Sequence, residues 1–367
     1  MLKTDYRYFR YFDWITFGLI MVLSLIGLAF VFSATYRAEI PLSIFFKKQL
    51  FGVVSGIVIY LLCCMVHYKN FMRWGYFLYF AVIGMLIFTI IKGSIGMGGQ
   101  RWIDLGLFKL QPSETTKFFF PAFVTYYLYT HSNSTLSWRQ YIPLLSMLVV
   151  SCILIIKQPD LGTAILLLIS GLLMLWLAGV QKRFFKYGLI ALIITAPVTW
   201  HLLKPYQKKR ILVFIGQGES KKERYQIEQS EIAIGSGGLT GKGFLRGTQN
   251  KLLFLPESRT DFIFSVICEE LGFLGSCIVL LLLIALFIRI FYIILTMHST
   301  VMQLLSFGLV IHIMISAIIN IGMVTGLLPV VGIPLPLISY GLSNLWTNFA
   351  SLGLFANMAI RRFYIGE

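Results

Sequence analysis

The run Leu255-Pro256-Glu257-Ser258-Arg259-Thr260-Asp261-Phe262-Ile263-Phe264-Ser265 joins a long polar stretch to a strongly apolar one. A carboxylate at such a junction starts a helix, or it serves as a base toward a substrate at a membrane surface. Thr260 reads as an N-cap and Asp261 as a first-turn residue, where the helix dipole favours negative charge. Glu257 and Arg259 flank them. Glu114 and Lys117 follow Gln111-Pro112-Ser113, with Ser113 as a candidate N-cap, and their i,i+3 spacing lets them pair on one helix face. Charges inside a membrane are costly and face a bundle interior or a wet cavity, so this pair either braces two helices or meets a substrate. Asp160, after Pro159, heads another apolar run, either as a cap or as a functional carboxylate. Lys48 reads as a snorkelling interface cation. Glu269 and Glu270 point about 100° apart on a helix, so at least one faces a polar interior, and both read as structural supports. His312 reads as a satisfied core histidine.

The elements that must position these groups are membrane spans. The chain has 367 residues, is 57% hydrophobic and only 13% charged, and has a mean hydropathy of +0.81; a soluble protein carries nearer a quarter charged residues. Apolar segments of spanning length, about ten in number, are expected at 14–34, 50–66, 75–92, 114–131, 141–157, 161–179, 185–203, 262–287, 301–327 and 337–360. The first is too long for a signal-peptide core and reads as an uncleaved span. The fold class is therefore an all-α polytopic membrane protein, a single domain over 1–367, with one large polar loop at about 204–260. An even number of spans puts both termini on one side, and basic tails with three basic short loops favour the cytoplasm. The loop is itself basic, so charge counting alone leaves orientation open.

The net charge of +16 is scattered among the spans without a recognition motif, which argues against nucleic acid. Anionic lipid accounts for part of it, and a phosphorylated substrate suits a basic outer loop. The five cysteines, Cys63, Cys64, Cys152, Cys268 and Cys277, fall in apolar spans without metal spacing and read as core residues. The stretch Gly235–Gly243 lacks the spacing and surroundings of a nucleotide loop. Gly326–Pro336 is too rich in proline and glycine for a regular helix and too apolar for an ordinary loop. A partly re-entrant connection packed against the bundle is expected there.

The chain resembles the SEDS (shape, elongation, division and sporulation) proteins along nearly its whole length. The resemblance rests on Arg101-Trp102-Ile103, Gln111–Glu114 with Lys117, Gln158–Thr163, Gln229-Ser230 with Ile234–Gly243, and Leu255–Phe264 with Glu269–Gly272. It continues through Asn320–Val324, Pro334-Leu335-Pro336 and Ser339-Tyr340-Gly341, and Gly247-Thr248-Gln249 favours the RodA branch over the FtsW division branch. The resemblance implies a peptidoglycan glycosyltransferase that polymerises lipid II outside the bacterial cytoplasmic membrane, with the 204–260 loop extracytoplasmic. It implies that Asp261 is catalytic and that Glu114, Lys117 and Asp160 are functional positions; Lys48 falls where an Arg is usual. It also implies a class B penicillin-binding protein as transpeptidase partner, among other elongation-complex membrane proteins. Three departures stand out. Arg259 replaces a usual His, Gly341-Leu342-Ser343 replaces Gly-Gly-Ser, and Gly216–Arg224 lacks the Asp-Pro and Gly common in that loop.

The chemistry fits these residue types. An α-linked sugar diphosphate giving a β-1,4 product requires inversion, and undecaprenyl diphosphate is a good leaving group that needs cations more than a proton donor. One base, Asp261, suffices for the acceptor hydroxyl, with Lys48, Lys117, Arg259 and loop cations to hold the diphosphate. No residue set specifies a metal or cofactor; a divalent cation, Mg or Mn, is a candidate to share the diphosphate. A lipid flippase and a non-catalytic scaffold are the alternatives. A flippase would favour internal repeats and broken midplane helices, and a scaffold would tolerate neutralisation of Asp261.

Overall fold

The computed structural model describes residues 11–37, 42–96, 99–106, 108–131, 138–181, 183, 185, 186, 188, 190, 208, 221–252 and 254–363. The seventh expected span, 185–203, and residues 204–220 of the large loop lie almost entirely outside the described residues. The rest is mainly helical: α1 (Trp14–Thr35), α2 (Ile44–Met65), α3 (Tyr68–Lys92), α4 (Pro112–Thr130), α5 (Ile142–Lys157) and α6 (Leu161–Leu177). Later in the chain come α7 (Lys221–Ser236), the single turn α8 (Thr248–Lys251), α9 (Ile263–Leu295), α10 (Thr300–Val324) and α11 (Leu342–Arg361). Between α3 and α4 lies a small antiparallel sheet that hydropathy did not foretell, β1 (Ser94–Gly96), β2 (Gly99–Asp104) and β3 (Lys109–Leu110).

Among the described residues five helices, α1, α2, α3, α9 and α10, are long and apolar enough to cross a membrane, with α5 and α6 shorter and apolar. Large apolar side chains such as Phe77, Ile91, Leu281 and Ile288 stay more than half exposed on the outer surface. Lipid, not water, is the solvent that makes such a surface stable. The chain is thus a multi-pass, all-α membrane protein. Polar caps begin several helices where the sequence supplies them. Asp13 accepts from Thr16 N, Ser43 from Phe46 N and Asp160 from Thr163 N. The Ser43 cap lets α2 begin at Ile44, well before the apolar run at 50, so Lys48 and Gln49 are helical.

Packing inside the bundle relies on close backbone approach. Gly52 and Gly56 of α2 receive Leu342 and Phe349 of α11, as expected where small residues replace hydrophobic driving force in lipid. Midway along α1, a Cβ at Gly27 would lie 2.6 Å from the Ile338 backbone. That contact belongs to the connection between α10 and α11, which is irregular from Thr325 to Gly341 and buries Val330, Ile333, Leu335, Leu337 and Ile338. The expected re-entrant connection is therefore irregular backbone enclosed by helices, which is where a membrane protein tolerates it. It runs five residues further than hydropathy suggested, since Leu337 has φ +65° and helix resumes only at Leu342.

A second irregularity divides α9. The apolar pattern predicts one uninterrupted span over 262–287; the observed segment reaches Leu295 and breaks at Gly272, with φ +67° and ψ −164°. The glycine stretch of the large loop fills the break: Lys242 N and Gly243 N donate to Glu269 O and Glu270 O, and Phe273 N and Leu274 N donate to Gly238 O and Leu239 O. Backbone groups freed by the break are thereby satisfied by another part of the chain. The role of Gly235–Gly243 is to complete a broken helix.

Candidate functional site

Asp261 lies in a tight turn just ahead of the first half of α9, not in the helix. Glu257, with φ +52°, opens the turn, and its carbonyl accepts from both Thr260 N and Phe262 N. Two expectations are corrected here. Phe262 occupies the N-cap position and makes no side-chain cap, while Thr260 spends its hydroxyl on Glu257 O and Glu257 Oε2, both at 3.2 Å. The local turn wins because the positive φ at Glu257 lets the chain close on itself before the apolar run begins.

The turn is clamped from outside. Asn320 Nδ2 of α10 donates to Asp261 O at 2.9 Å and to Ile333 O at 2.7 Å. Ser339 Oγ donates to Thr260 O at 2.6 Å and accepts from Leu335 N, and Tyr340 N donates to Arg259 O. Gln49 of α2 donates to Ser339 O at 3.2 Å. Asp261 Oδ2 lies 3.4 Å from where a Cβ would sit on Gly332. Three bonds, from Asn320, Ser339 and Tyr340, thus hold the backbone at the base of the Asp261 side chain, which itself is partly exposed. Arg259 stacks its guanidinium 3.9 Å above the Phe45 ring of α2. Lys48, one turn further along α2, is exposed and makes no ion pair among the described residues.

The irregular connection links this turn to Asp160. Gly162, at the start of α6, packs against Val331 O and Ile333, one residue either side of Gly332. Asp160 caps α6 and is 3% exposed. Its carboxylate accepts from Gln111 Nε2 at 2.9 Å, Thr163 N at 3.2 Å and Thr163 Oγ1 at 2.9 Å, with Arg101 Nη1 at 3.8 Å. Arg101 also donates to Gln158 O and Pro159 O, tying β2 to the start of α6. The anticipated Ser113 cap of α4 is not made. Gln111 holds the N-cap position without a side-chain bond, and Ser113 Oγ accepts from Gln111 Nε2 and donates weakly to Asp160. Proline at the first helical position already removes one orphan N–H there.

Glu114 and Lys117 meet as their spacing predicts, Nζ to Oε2 at 2.7 Å, with side chains 6% and 2% exposed. Asn344 of α11 donates to the same Oε2 at 3.0 Å, and Asn348 donates to Asn344 Oδ1. This pair ties α4 to α11 within the bundle, so Lys117 is spoken for. His312 is fully buried within α10, with the Gly308 backbone one turn earlier as its partner, in keeping with a core histidine. Glu269 Oε1 accepts from Lys242 Nζ, Thr248 N, Thr248 Oγ1 and Gln249 N; Glu270 accepts from Ser33 Oγ and Leu245 N. Both carboxylates pin the loop after α7 onto the break in α9. Sequence reasoning missed Asn320 and Ser339 as clamps, although both are polar residues set in apolar surroundings. Phe45 carried no signal at all.

Among the described residues no three His, Cys, Asp or Glu side chains gather as a metal site. A divalent cation at this site would take most of its ligands from substrate oxygens.

The family model of FtsW, RodA and SpoVE, described as a cell cycle protein, matches residues 7–363. The peptidoglycan glycosyltransferase MrdB of Escherichia coli K12 is 36% identical over 318 residues, 86% of each chain. A structure described as showing how a peptidoglycan synthase complex coordinates polymerization and crosslinking contains a chain of the same fold. Its TM-score is 0.80 at 26% identity, covering 96% of this chain and 99% of that one. The rod shape determining protein RodA of Thermus thermophilus shares the fold at TM-score 0.71 and 24% identity, covering 96% and 98%. With a family match across nearly every residue, the chain belongs to the FtsW/RodA/SpoVE family, the SEDS proteins.

Proposed function

We propose that this chain is a peptidoglycan glycosyltransferase serving cell elongation and shape, the activity named for its E. coli relative, and that Asp261 is its general base. The observation that carries the residue assignment is the clamped turn. A base gains from a fixed position and from access to the hydroxyl it deprotonates. Glu114, Asp160, Glu269 and Glu270 are buried inside the bundle or under the loop and have no such access. Asp261 is partly exposed on a turn whose backbone is held by Asn320, Ser339 and Tyr340.

In the reaction, the Asp261 carboxylate takes the proton of the acceptor sugar hydroxyl as that oxygen bonds to the donor's anomeric carbon. The bond from that carbon to the diphosphate oxygen breaks on the opposite face, inverting the centre, and the electron pair leaves with the lipid diphosphate. Lipid II is the substrate by this reading. The turn faces the extracytoplasmic side, with both termini in the cytoplasm, and a transpeptidase of the penicillin-binding class is the partner that crosslinks the product. The likeness to a synthase complex supports that partner.

The test is polymerisation of purified lipid II by wild type and Asp261→Asn, each with and without the co-expressed partner. Losing a general base costs on the order of 10²–10⁴ in rate. Glycan strands from wild type and none from a folded, partner-binding mutant are expected. Equal product from both removes Asp261 as the base, and no product from either removes the polymerase reading.

A further inference from the structure

Arg259 is anchored by its backbone and by a ring contact, while its hydrogen-bond donors are unused among the described residues. Its backbone carbonyl is fixed by Tyr340 N, and its guanidinium carbon sits 3.9 Å from the centroid of the Phe45 ring, which meets the Tyr340 ring edge-on at 5.5 Å. Gln49, one turn along α2 from Phe45, is tethered to Ser339 O, so the stacking platform is itself anchored. Yet no guanidinium nitrogen hydrogen-bonds to another described residue, and Nε is buried without a partner. Stacking on a ring holds the plane of the cation but satisfies none of its in-plane N–H donors. The nearest acidic side chain earlier in the turn, Glu257, accepts from Thr260. Lys48 lies three residues from Phe45 on the same helix face, also without an ion pair among the described residues. Two uncommitted cations therefore flank one ring beside Asp261.

We infer that Arg259, steadied on Phe45 and assisted by Lys48, seats the diphosphate that leaves the donor sugar. The inference rests on the glycosyltransferase reading and assigns the polarity of its site. Both lipid-linked substrates carry a diphosphate, but only one can be this near the base. The hydroxyl that Asp261 deprotonates belongs to the acceptor, whose own diphosphate lies two sugar rings away. The donor's diphosphate is separated from that hydroxyl only by the anomeric carbon under attack. A planar fork donates to two phosphate oxygens at once, which a lysine in its place would not do, and a second cation matches the second phosphate. Charge builds on the bridging oxygen as the glycosidic bond breaks, so Arg259 binds more tightly as the reaction proceeds.

The experiment measures binding of a fluorescent long-chain prenyl diphosphate to the full-length protein in nanodiscs. It is done in the Asp261→Asn background so that no turnover intervenes, with Arg259, Arg259→Lys and Arg259→Gln compared. Loss of charged hydrogen bonds to phosphate should weaken binding by about ten- to a hundredfold in the Gln variant. The Lys variant should fall between, and the corresponding prenyl monophosphate should respond less. Inorganic pyrophosphate as competitor separates the two sources of the anion. Displacement that depends on Arg259 shows that the phosphates alone are read, while Arg259-dependent binding without displacement shows that the lipid is required as well. Unaltered prenyl diphosphate affinity in Arg259→Gln, with an unchanged unfolding midpoint, overturns the assignment. Polymerisation by the Asp261-intact protein is scored separately, so failure of the polymerase reading is distinguishable from failure of this seat.

Discussion

Replacing Glu269 by Gln should loosen the extramembrane loop that completes α9 without unfolding the bundle. Oε1 of Glu269 accepts from Lys242 Nζ at 2.7 Å, Thr248 N at 2.7 Å, Thr248 Oγ1 at 2.9 Å and Gln249 N at 3.1 Å. Gln keeps the size and one acceptor oxygen but removes the charge, and charge-assisted bonds are roughly twice as strong as neutral ones. Each of the four then loses about 0.5–1 kcal/mol, so the loop loses roughly 2–4 kcal/mol, with the lower end favoured because the four share one atom. The new amide replaces Oε2, which has no partner, so no existing bond is displaced. At about 2 kcal/mol the open population of the loop rises some 30-fold. Hydrogen–deuterium exchange by mass spectrometry in nanodiscs reads this directly, because the amides of Lys242, Gly243, Thr248 and Gln249 are all bonded to Glu269 or to the helix end beside it. Exchange in peptides spanning 242–252 should accelerate by about that factor while peptides of α10 keep their protection. Lys242→Met should add little on top of Glu269→Gln. Unchanged exchange in those peptides would refute the claim that this carboxylate holds the loop.

The Glu114–Lys117 pair should show the asymmetry of buried charges. Either Glu114→Gln or Lys117→Met alone should cost about 3–5 kcal/mol by stranding its partner, whereas the double substitution should recover a substantial part, read as unfolding midpoints in detergent. Additive losses would mean the two charges do not depend on each other. Gly272→Ala should impair folding, since φ is +67° and the new Cβ would sit 2.7 Å from Leu239 backbone atoms. Gly84→Ala in α3 meets nothing within 4 Å and should be neutral or stabilising by about 1 kcal/mol. Equal yields and protease resistance for the two glycine variants would show that the break in α9 does not need Gly272.

How far the fold could be read in advance follows from which forces leave a mark on composition. Burial in lipid does. The observed α1, α5 and α6 begin and end within two residues of the runs expected from apolar length. Polar caps shifted α2 and α3 earlier than hydropathy placed them, because a serine or histidine side chain can start a helix in polar sequence. The break at Gly272 was invisible, since a glycine in a helical run does not by itself signal a break and what makes this one is the distant Gly238–Gly243 backbone inserted there. The spacing of Glu114 and Lys117 foretold their ion pair, a property of one helix. Phe45, Asn320 and Ser339 reach Arg259, Asp261 and Thr260 respectively across long sequence separations, and no local pattern tells which residue each will meet.

The same distinction explains why the site is built from irregular backbone. A regular helix satisfies its own amides and carbonyls, leaving a neighbour little to grip except side chains. The turn at 257–262 and the connection at 325–341 both expose backbone groups, and each supplies partners for the other: Thr260 O to Ser339, Arg259 O to Tyr340 and, through Asn320, Asp261 O to the same amide as Ile333 O. Cross-linking two irregular segments in this way gives a partly exposed carboxylate a rigid base without burying it. Removing one clamp should therefore move Asp261 without neutralising it. Asn320→Ala leaves the buried Ile333 O and the part-buried Asp261 O short of a donor, a cost of about 1–3 kcal/mol for the buried group and less for the other. If Asp261 acts from a fixed position, Asn320→Ala should slow lipid II polymerisation far more than it lowers substrate affinity. A variant that turns over normally despite the lost clamp would show that the rigidity of this turn is not what the chemistry uses.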